Sequence, residues 1–396
     1  MKEDIDGQFI HNPTAVKQIT HLVQITNSNI AHLHNIYHQI TPSVIKVLNR
    51  FGIKVVLTLH DYKIICPVYR LICQDTICTQ CEGKHFLNVL FCKCQGDSLT
   101  QNMLLCLEAY FHRFFKSYAG VNLFITPSRF MQKLVCRFGL DKKRVRVIPN
   151  GIDPKPYSAF DRDEGFGLYA GRLSKEKGIF TLLNAHARLN GQVKLKFAGS
   201  GPLERELKQK YPDVEFLVFL NKTSLDRVMR KAAFIIVPSQ WYENCSMSIL
   251  EAMAYGKPVI GADIGGISEQ VQHQKTGLLF TPGNVEELCR HILMMTRNPQ
   301  YRRKLSAAAY NNGLREFSIQ THIRRLSAVI NEIENLSPGR CIVRGGQDIY
   351  CLFLTILIMD VPKRILTDLY INKQKLIHIV SFLCIVYKVS NINFTH

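Results

Sequence analysis

Short apolar runs alternate with stretches of helical periodicity along most of this chain, and that alternation limits the possible folds more than any other feature. Apolar runs bounded by turn residues predict buried strands, and the amphipathic stretches between them predict helices. The predicted strands are residues 30–33, 54–59, 123–126, 145–148, 167–170, 194–198, 215–219, 234–237, 258–261 and 278–280. The predicted helices include residues 101–116, 128–138, 178–189 and 247–254. Repeated strand–helix units build parallel sheets covered by helices on both faces, so we expect an α/β protein.

The sequence divides at residues 149–151, Pro-Asn-Gly, which are typical of turns and linkers. Because 396 residues exceed one compact core, we expect two domains, residues 1–150 and 151–336, followed by a tail of unknown role, residues 337–396. The first domain has four predicted strands and six of the 24 glycines, whereas the second has six predicted strands. Residues 1–29 offer polar, helix-like sequence where a doubly wound domain begins with a strand and a glycine-rich turn. We therefore infer that the N-terminal domain is incomplete.

An excess of basic residues favours an anionic partner. Fifty Lys and Arg against 31 Asp and Glu give a formal net charge of +19. Nucleic acid is not the partner that we expect, because the sequence shows neither an aromatic-basic recognition motif nor a helix-turn-helix pattern. The tail contains two apolar runs, residues 349–359 and 376–387, which are shorter than the ~20 residues needed to cross a bilayer. Either the tail lies on a membrane surface, or it is an appendage with no selected role.

The cysteines indicate reduced thiols or metal ligands. Residues 1–8 contain three acidic side chains where a secretory signal would be basic and then apolar, so we expect a cytosolic protein in which disulfides are rare. Six of the 13 cysteines lie between residues 66 and 94, in a cysteine-rich insertion. Reduced loop thiols are the commoner outcome for such a cluster, and the alternative is a structural zinc site with four thiolate ligands. The predicted ligands are Cys66, Cys78, Cys81 and Cys94.

A turn in the second half combines glycine with two cations. Residues 171–178, Gly-Arg-Leu-Ser-Lys-Glu-Lys-Gly, open a predicted helix, so Arg172 and Lys177 flank free backbone N–H groups. Fixed charge and amide donors together favour a pyrophosphate, although such cations are often only solvated surface residues. After the next strand, Gly199 and Gly201 lack side chains that would keep a ligand away from the backbone. An ordinary turn is the alternative there.

Two carboxylates lie eight residues apart in the second half. Glu243 is on the loop after strand 234–237, and Glu251 is one turn inside the following helix. Both carboxylates can face one cleft, because ligands of open α/β sheets bind at the carboxyl ends of the strands. Residues 246–248 stand at the helix start, where backbone N–H groups are free to donate to ligand oxygens. The alternative, two solvated glutamates, is disfavoured by the small residues that follow Glu251.

In order and spacing these motifs resemble the donor domain of the family 4 retaining glycosyltransferases, which have the GT-B fold. The resemblance covers about residues 140–330, through residues 150–153, 171–178, 199–202, 243–260 and 265–269. The first half is similar through shorter motifs at residues 32–35, 58–62 and 126–128. The resemblance implies two Rossmann-like doubly wound domains that face each other across a cleft, of which the N-terminal one is incomplete here.

The resemblance also implies roles for individual residues. A nucleotide-diphospho-sugar donor would bind the C-terminal domain, where Arg172 and Lys177 would stabilise the departing diphosphate without a metal ion. Glu251 would hydrogen-bond the ribose, Glu243 would hold the donor sugar, and His60 would enter from the N-terminal domain near the reacting carbon. The other donor-binding residues that the resemblance implies are Gly171, Gly199, Gly201, Asn244, Cys245, Ser246 and Met247.

Two further histidines stand near the end of the first predicted strand. His32 and His34 alternate along the chain, so their side chains can share one face of the sheet. A core or rim histidine with satisfied hydrogen bonds is the commoner outcome for such residues. For His60 the resemblance favours a place in the cleft.

Together these features predict a cytoplasmic, membrane-peripheral transferase that builds a cell-surface polysaccharide or glycolipid. Its donor would be a UDP- or GDP-sugar, its acceptor a glycan or a lipid-linked molecule, and its basic charge would suit both diphosphates and an anionic membrane surface. No cofactor is expected for catalysis. Two other interpretations stay open: a GT-B sugar-nucleotide epimerase, because a fold does not fix chemistry, and a truncated, catalytically inert fragment that still binds a nucleotide sugar.

Overall fold

The computed structural model describes residues 10–26, 28–37, 40–154, 163–217, 220–335 and 354–356. These residues form two separate parallel sheets with helices packed on them, which confirms the predicted α/β class. Every predicted strand is present within about two residues at each end, except that residues 218–219 lie outside the described part of the chain. The alternation of apolar runs and amphipathic stretches therefore predicted the architecture correctly.

The first sheet is built mainly from the N-terminal half. Its half of the chain contains the strands β1 (Ile30–His34), β2 (Lys54–Thr58), β3 (Ile72–Cys73), β4 (Thr76–Ile77), β5 (Leu123–Thr126) and β6 (Val145–Val147). Strands β1, β2, β5 and β6 pair in that order and in parallel, whereas β3 and β4 form a small antiparallel hairpin inside the cysteine-rich insertion. The carboxyl ends of β1 and β2 therefore lie side by side, with His34 opposite Thr58.

The second sheet is doubly wound. Its strands are β7 (Gly167–Ala170), β8 (Leu195–Ala198), β9 (Glu215–Leu217), β10 (Phe234–Val237), β11 (Val259–Ala262) and β12 (Gly277–Phe280). The order across the sheet is β12-β11-β10-β7-β8-β9, and all neighbours are parallel. The winding reverses between β7 and β10, and ligands of open α/β sheets bind outside the carboxyl ends of strands at such a reversal.

The helices cover these sheets with their apolar faces. They are α1 (Pro13–Thr26), α2 (Ser43–Arg50), α3 (Asn88–Phe91), α4 (Leu99–Phe114), α5 (Arg129–Arg137), α6 (Ile179–Leu189), α7 (Glu204–Lys210), α8 (Lys222–Lys231), α9 (Met247–Ala254), α10 (Ile267–Gln270), α11 (Val285–Arg297), α12 (Pro299–Phe317) and α13 (Ile319–Asn335). Six of them begin after a residue whose side chain accepts a backbone N–H of the first turn, namely Asn12, Ser98, Ser128, Asn221, Asn284 and Ser318.

The last helix joins the two halves. Helix α13 follows α12 of the second half, yet Leu326, Val329, Ile330 and Ile333 pack against the first sheet beside Ile30 and Val56. Arg146 of β6 and Glu332 of α13 form an ion pair at the same contact. The sequence division at residue 336 assigned this helix to the second domain, whereas its apolar face is buried against the first.

Part of the tail joins the first sheet. Strand β13 (Leu354–Ile356) pairs in parallel with β1, with Ala31 opposite Leu354. This strand falls within the apolar run 349–359, whereas the run 376–387 lies outside the described residues. Within the described residues, the helices include none with the length and apolarity needed to cross a membrane.

Candidate active site

The candidate site lies where the carboxyl ends of the two sheets face each other. The amide nitrogen of Asn244, on the loop after β10, donates to the backbone oxygen of His60, on the loop after β2, over 2.7 Å. The Tyr62 hydroxyl donates to the Tyr242 backbone oxygen over 3.1 Å. Both bonds connect residues about 180 positions apart, so the structure brings His60 to the loop that carries Glu243, as the resemblance implied.

Lys177 and Glu243 form an ion pair at the centre of the site. The Lys177 ammonium lies 2.6 Å from a carboxylate oxygen of Glu243, and the Ser239 hydroxyl donates to the same oxygen over 2.8 Å. The Glu243 side chain is only 9% exposed, whereas that of Lys177 is 26% exposed. A buried carboxylate without a partner is strongly unfavourable. Glu243 therefore positions the Lys177 ammonium group, which remains partly exposed to the cleft.

The loop glycines allow close packing between loops of the site. A Cβ atom on Gly199, whose φ is +139°, would lie 1.9 Å from the backbone oxygen of Gly171. A Cβ atom on Gly201 would lie 2.4 Å from the backbone oxygen of Leu173. Both glycines thus fix the loop of Gly171 against the neighbouring loop, while Arg172 extends from that loop into solvent. The sequence interpretation assigned these glycines to ligand approach; the packing of backbone against backbone is an additional requirement.

The start of α9 has fewer free amides than the resemblance implied. The Ser246 N–H donates to Gln270 Oε1 over 2.8 Å, and Gln270 Nε2 donates back to the Ser246 backbone oxygen over 3.0 Å. The Cys245 side chain belongs to the core of the second half, and burial raises its pKa to about 12. Met247 is largely exposed and lies beside Asn150 of the linker. The Ser246 N–H is therefore already paired and is not among the free amides of this helix start.

Glu251 lies one turn inside α9, as predicted, and is half-buried. Burial is the main cause that raises the pKa of its carboxyl group, and the nearby Asp226 carboxylate raises it further. A carboxyl group in this setting gains from a hydrogen-bond donor such as a hydroxyl group. Glu251 is thus suited to the ribose contact that the resemblance implies.

Three histidines form a buried cluster at the ends of β1 and β2. His34 Nδ1 lies 2.7 Å from His60 Nε2, and His32 Nε2 lies 2.7 Å from the Thr58 hydroxyl. Burial, followed by repulsion from neighbouring histidines, lowers the pKa of His32 to about 3, of His34 to about 2 and of His60 to about 4. All three are therefore neutral at physiological pH. The alternation of His32 and His34 indicated a shared neighbourhood, but their contact with His60 was not predicted.

Several residues of the site were missed by sequence analysis. Trp241 packs its ring 4.8 Å from the Lys177 ammonium, which adds a cation–π contact to the ion pair. Ser239 and Gln270 fix Glu243 and the start of α9 through the bonds described above. Trp241 is the only tryptophan of the chain and stands two residues before Glu243, which was the available signal. Nothing in the local sequence marks Gln270, because it reaches Ser246 from the end of α10.

The predicted zinc ligands do not gather as one group. Among the described residues, the metal-binding side chains whose ligand atoms all lie within 4.8 Å of one another are Cys73, Cys92 and Cys94. Of the four predicted ligands, only Cys94 belongs to that group. Cys66 and Cys81 are buried in the core of the first half.

The sequence also contains two Asp-x-Asp triplets, at residues 4–6 and 161–163, a spacing found in metal-using sugar transferases. Only Asp163 is among the described residues. Both of its carboxylate oxygens accept hydrogen bonds from Arg302 of α12, over 2.9 and 3.1 Å. This carboxylate is thus occupied by an ion pair away from the cleft residues.

Two family models match adjacent parts of the chain. The model described as Glycosyltransferase Family 4 matches residues 5–155, and the model described as Glycosyl transferases group 1 matches residues 155–312. Their border falls at the linker, so one model covers each half of the cleft.

Individual proteins are similar over parts of the chain. An uncharacterized glycosyltransferase of Methanocaldococcus jannaschii is 31% identical over 188 residues, which are 41% of this chain and 48% of that protein. A glycogen synthase of Mycobacterium tuberculosis is 29% identical over 197 residues, 46% of this chain and 47% of that protein. The chain thus spans about half the length of the curated relatives it matches. The crystal structure of Anabaena HepE in complex with UDP-glucose has a TM-score of 0.58 at 20% identity, over 80% of this chain and 82% of that one, which identifies the fold as GT-B.

Proposed function

The chain belongs to the family 4 glycosyltransferases, and we propose that it moves a sugar from a nucleotide-diphosphate donor to a glycan or lipid-linked acceptor with retention of configuration. The observation that carries this proposal is the pairing of the Lys177 cation with buried Glu243, opposite His60 of the other half. UDP-glucose bound to the similar Anabaena protein supports a UDP-sugar, and a GDP-sugar is the other candidate donor.

The residues of the cleft suit this reaction. The bond between the anomeric carbon and the phosphate oxygen breaks, and the electron pair goes to the leaving diphosphate. The acceptor oxygen bonds to carbon on the same face, and its proton passes to the leaving diphosphate. Lys177 and Arg172 stabilise the charge that develops on the diphosphate. Glu243 and Ser239 keep Lys177 in place before the donor arrives. His60 is neutral and therefore acts through hydrogen bonds and not as a cation. Because Lys177 is held in place and Arg172 lies on the same turn, we propose that the step needs no metal ion.

The test is nucleotide release from a panel of labelled UDP- and GDP-sugars, with and without membrane extract. Wild type is compared with Glu243→Gln, which removes the charge that holds Lys177. Lys175→Gln is the matched control, because the Lys175 ammonium belongs to the same turn but pairs with Asp75 over 2.9 Å. We expect extract-dependent release that Glu243→Gln abolishes and Lys175→Gln retains. The anomeric configuration of the product, read by NMR, tests retention.

Two outcomes would replace this proposal. Conversion of the donor into an isomeric nucleotide sugar without acceptor would indicate an epimerase. Donor binding without release, under all acceptor conditions, would indicate an inert nucleotide-sugar-binding chain.

We also propose that the enzyme works at an anionic membrane surface on the cytoplasmic side. One face of α4 exposes Leu99, Met103, Leu107 and Phe114, at positions that share a helical stripe. Phe91, the last residue of α3, is 79% exposed. The only acid of α4, Glu108, is buried against Lys63, so the exposed face carries no negative charge. The exposed cations near this face are Lys93, which pairs with exposed Asp97, and Arg113 and Lys116. An apolar stripe rimmed by cations suits anionic headgroups.

Flotation with vesicles tests the membrane surface. We expect wild type to float with vesicles of phosphatidylglycerol and phosphatidylcholine, more weakly with phosphatidylcholine alone. Phe91→Ser combined with Phe114→Ser should reduce flotation at least fivefold. Met294→Ser combined with Leu314→Ser removes exposed apolar residues of the second half and should float like wild type. Equal flotation of the two variants would contradict this surface, and concentration-dependent dimers lost in the first variant would identify a second copy as its occupant.

A further inference from the structure

Three thiols in the insertion gather outside the cleft. Cys73 ends β3, Cys92 follows α3, and Cys94 lies two residues further on, with their sulfur atoms all within 4.8 Å of one another. The Cys73 thiol donates to the Cys92 backbone oxygen over 2.8 Å, and the Cys92 thiol donates to Gln80 Oε1 over 2.8 Å. The three sulfur atoms, one from the end of β3 and two from the loop after α3, therefore lie close enough together to bind one ion.

The segment around these thiols has little regular structure of its own. Between residues 66 and 94 it contains two-residue strands, one short 3₁₀ turn and the four-residue helix α3. Six of the eleven described non-glycine residues with positive φ lie here, namely Tyr69, Leu71, Gln74, Asp75, Lys84 and Lys93. Such backbone costs of order 1–3 kcal/mol per residue and persists only where the surroundings impose it. The few hydrogen bonds of a two-residue hairpin stabilise the segment too little to offset that much backbone strain.

We propose that Cys73, Cys92 and Cys94 bind one structural Zn²⁺. On binding, the three thiols release their protons to solvent and form three zinc–sulfur bonds of about 2.3 Å. Tetrahedral geometry then leaves one position for an oxygen ligand, either Gln80 Oε1 or a water molecule. This ligand set differs from the set Cys66, Cys78, Cys81 and Cys94 that the sequence predicted, and the two sets share only Cys94.

The site would fix a hairpin that reaches the donor half. Asp75, at the turn between β3 and β4, forms an ion pair with Lys175, which lies between Arg172 and Lys177 on the donor-side turn. This pair is exposed, so by itself it stabilises the contact only weakly. Its position depends on the hairpin, and the metal would tie that hairpin to the loop after α3.

Metal content of the purified full-length protein tests the site. The protein is exposed to Zn²⁺, dialysed and analysed by elemental mass spectrometry, with far-UV circular dichroism as the check that each variant is folded. We expect one equivalent of zinc in wild type, lost at least tenfold in Cys92→Ser and in Cys73→Ser. Cys81→Ser should keep the metal, and so should the control Cys289→Ser, in the second half.

The opposite result would overturn the proposal: zinc kept by Cys92→Ser and lost by Cys81→Ser, or no zinc in folded wild type. If every variant of the insertion loses metal together, Co²⁺ substitution of wild type decides, because the sulfur-to-cobalt absorption grows with the number of thiolates. Intensity for three thiolates supports the site, and intensity for four assigns the metal to the other ligand set. None of these readouts depends on transferase activity.

Discussion

The two halves of the molecule contribute to the cleft in different ways. In the second half, the sheet has six strands in a doubly wound order, and its cleft residues lie on short loops after β7 and β10. In the first half, β1, β2, β5 and β6 pair in chain order and the tail strand β13 pairs with β1 on the other side. Its cleft residues are histidines that meet only because β1 and β2 are neighbours, as in the 2.7 Å contact between His34 and His60.

This difference teaches where a functional site can be read from local sequence. A phosphate-binding turn needs cations, glycine and a helix start within a few residues, so residues 171–178 carry the whole pattern. A cluster of largely buried histidines needs strand pairing, since its members His34 and His60 lie 26 residues apart in the sequence. The second half therefore brings a paired charge to the cleft, and the first brings neutral histidines.

The largest expected effect is on catalysis, where a variant of Lys177 in the second half is compared with a variant of His60 in the first half. Lys177→Gln removes the cation that we propose stabilises the departing diphosphate, so we expect kcat/KM to fall by about 10²–10³-fold. His60→Gln keeps a neutral hydrogen-bonding side chain, so we expect a loss of only about tenfold, worth ~1.4 kcal/mol. Steady-state kinetics with the preferred donor measures both.

A control separates chemistry from folding in this comparison. Both variants should stay folded but lose about 1–3 kcal/mol of unfolding free energy in urea, because each removes a partner of a partly or fully buried group, Glu243 or His34. A loss in His60→Gln as large as that in Lys177→Gln would contradict the view that the first half contributes no charge.

The sequence predicted the strands, the fold class and the donor-side loops, and the physical reason is that each of these is a local pattern. It did not predict that the Ser246 N–H would donate to Gln270, or that the Trp241 ring would pack against Lys177. Both contacts join segments that are distant in the sequence. It also chose zinc ligands by spacing along the chain. The folded insertion instead brings Cys73 and Cys92 to Cys94, through turns with positive φ that spacing does not specify.

The next effect concerns the acid stability of the first half. The pKa of His32 is about 3 in the folded protein and 6.5 in the unfolded chain, so between these values the unfolded chain binds more protons. Stability is therefore full above pH 6.5 and is lost as the pH falls, by about 2 kcal/mol at pH 5 from this histidine. We expect His32→Gln to remove that part of the pH dependence, measured by urea unfolding at pH 7 and pH 5.

Thr58→Val is the matched variant for this prediction. It removes the hydrogen bond to His32 Nε2 and leaves the buried ring. It should lower stability at pH 7 and keep the wild-type dependence on pH. A dependence on pH that is unchanged in His32→Gln would show that His32 is not the group that titrates.

The smallest expected effect tests how firmly the second half holds the first. Helix α5 begins with two kinds of support: Ser128 of its own half accepts the Met131 N–H, and Glu269 of the other half accepts the N–H groups of Arg129 and Phe130 over 2.8 and 2.5 Å. Ser128→Ala should cost about 1 kcal/mol of unfolding free energy. Glu269→Gln keeps an oxygen acceptor and should cost less than about 1 kcal/mol.

The two substitutions should differ more in their effect on the radius of gyration than in their effect on the free energy of unfolding. Because the Glu269 contact crosses the cleft, its weakening should raise the radius of gyration in small-angle scattering, whereas Ser128→Ala should leave that radius unchanged. An unfolding cost for Glu269→Gln above that of Ser128→Ala would mean that the cross-cleft contact supports α5 itself. In that case the first half would depend on the second for its folding and not only for its placement.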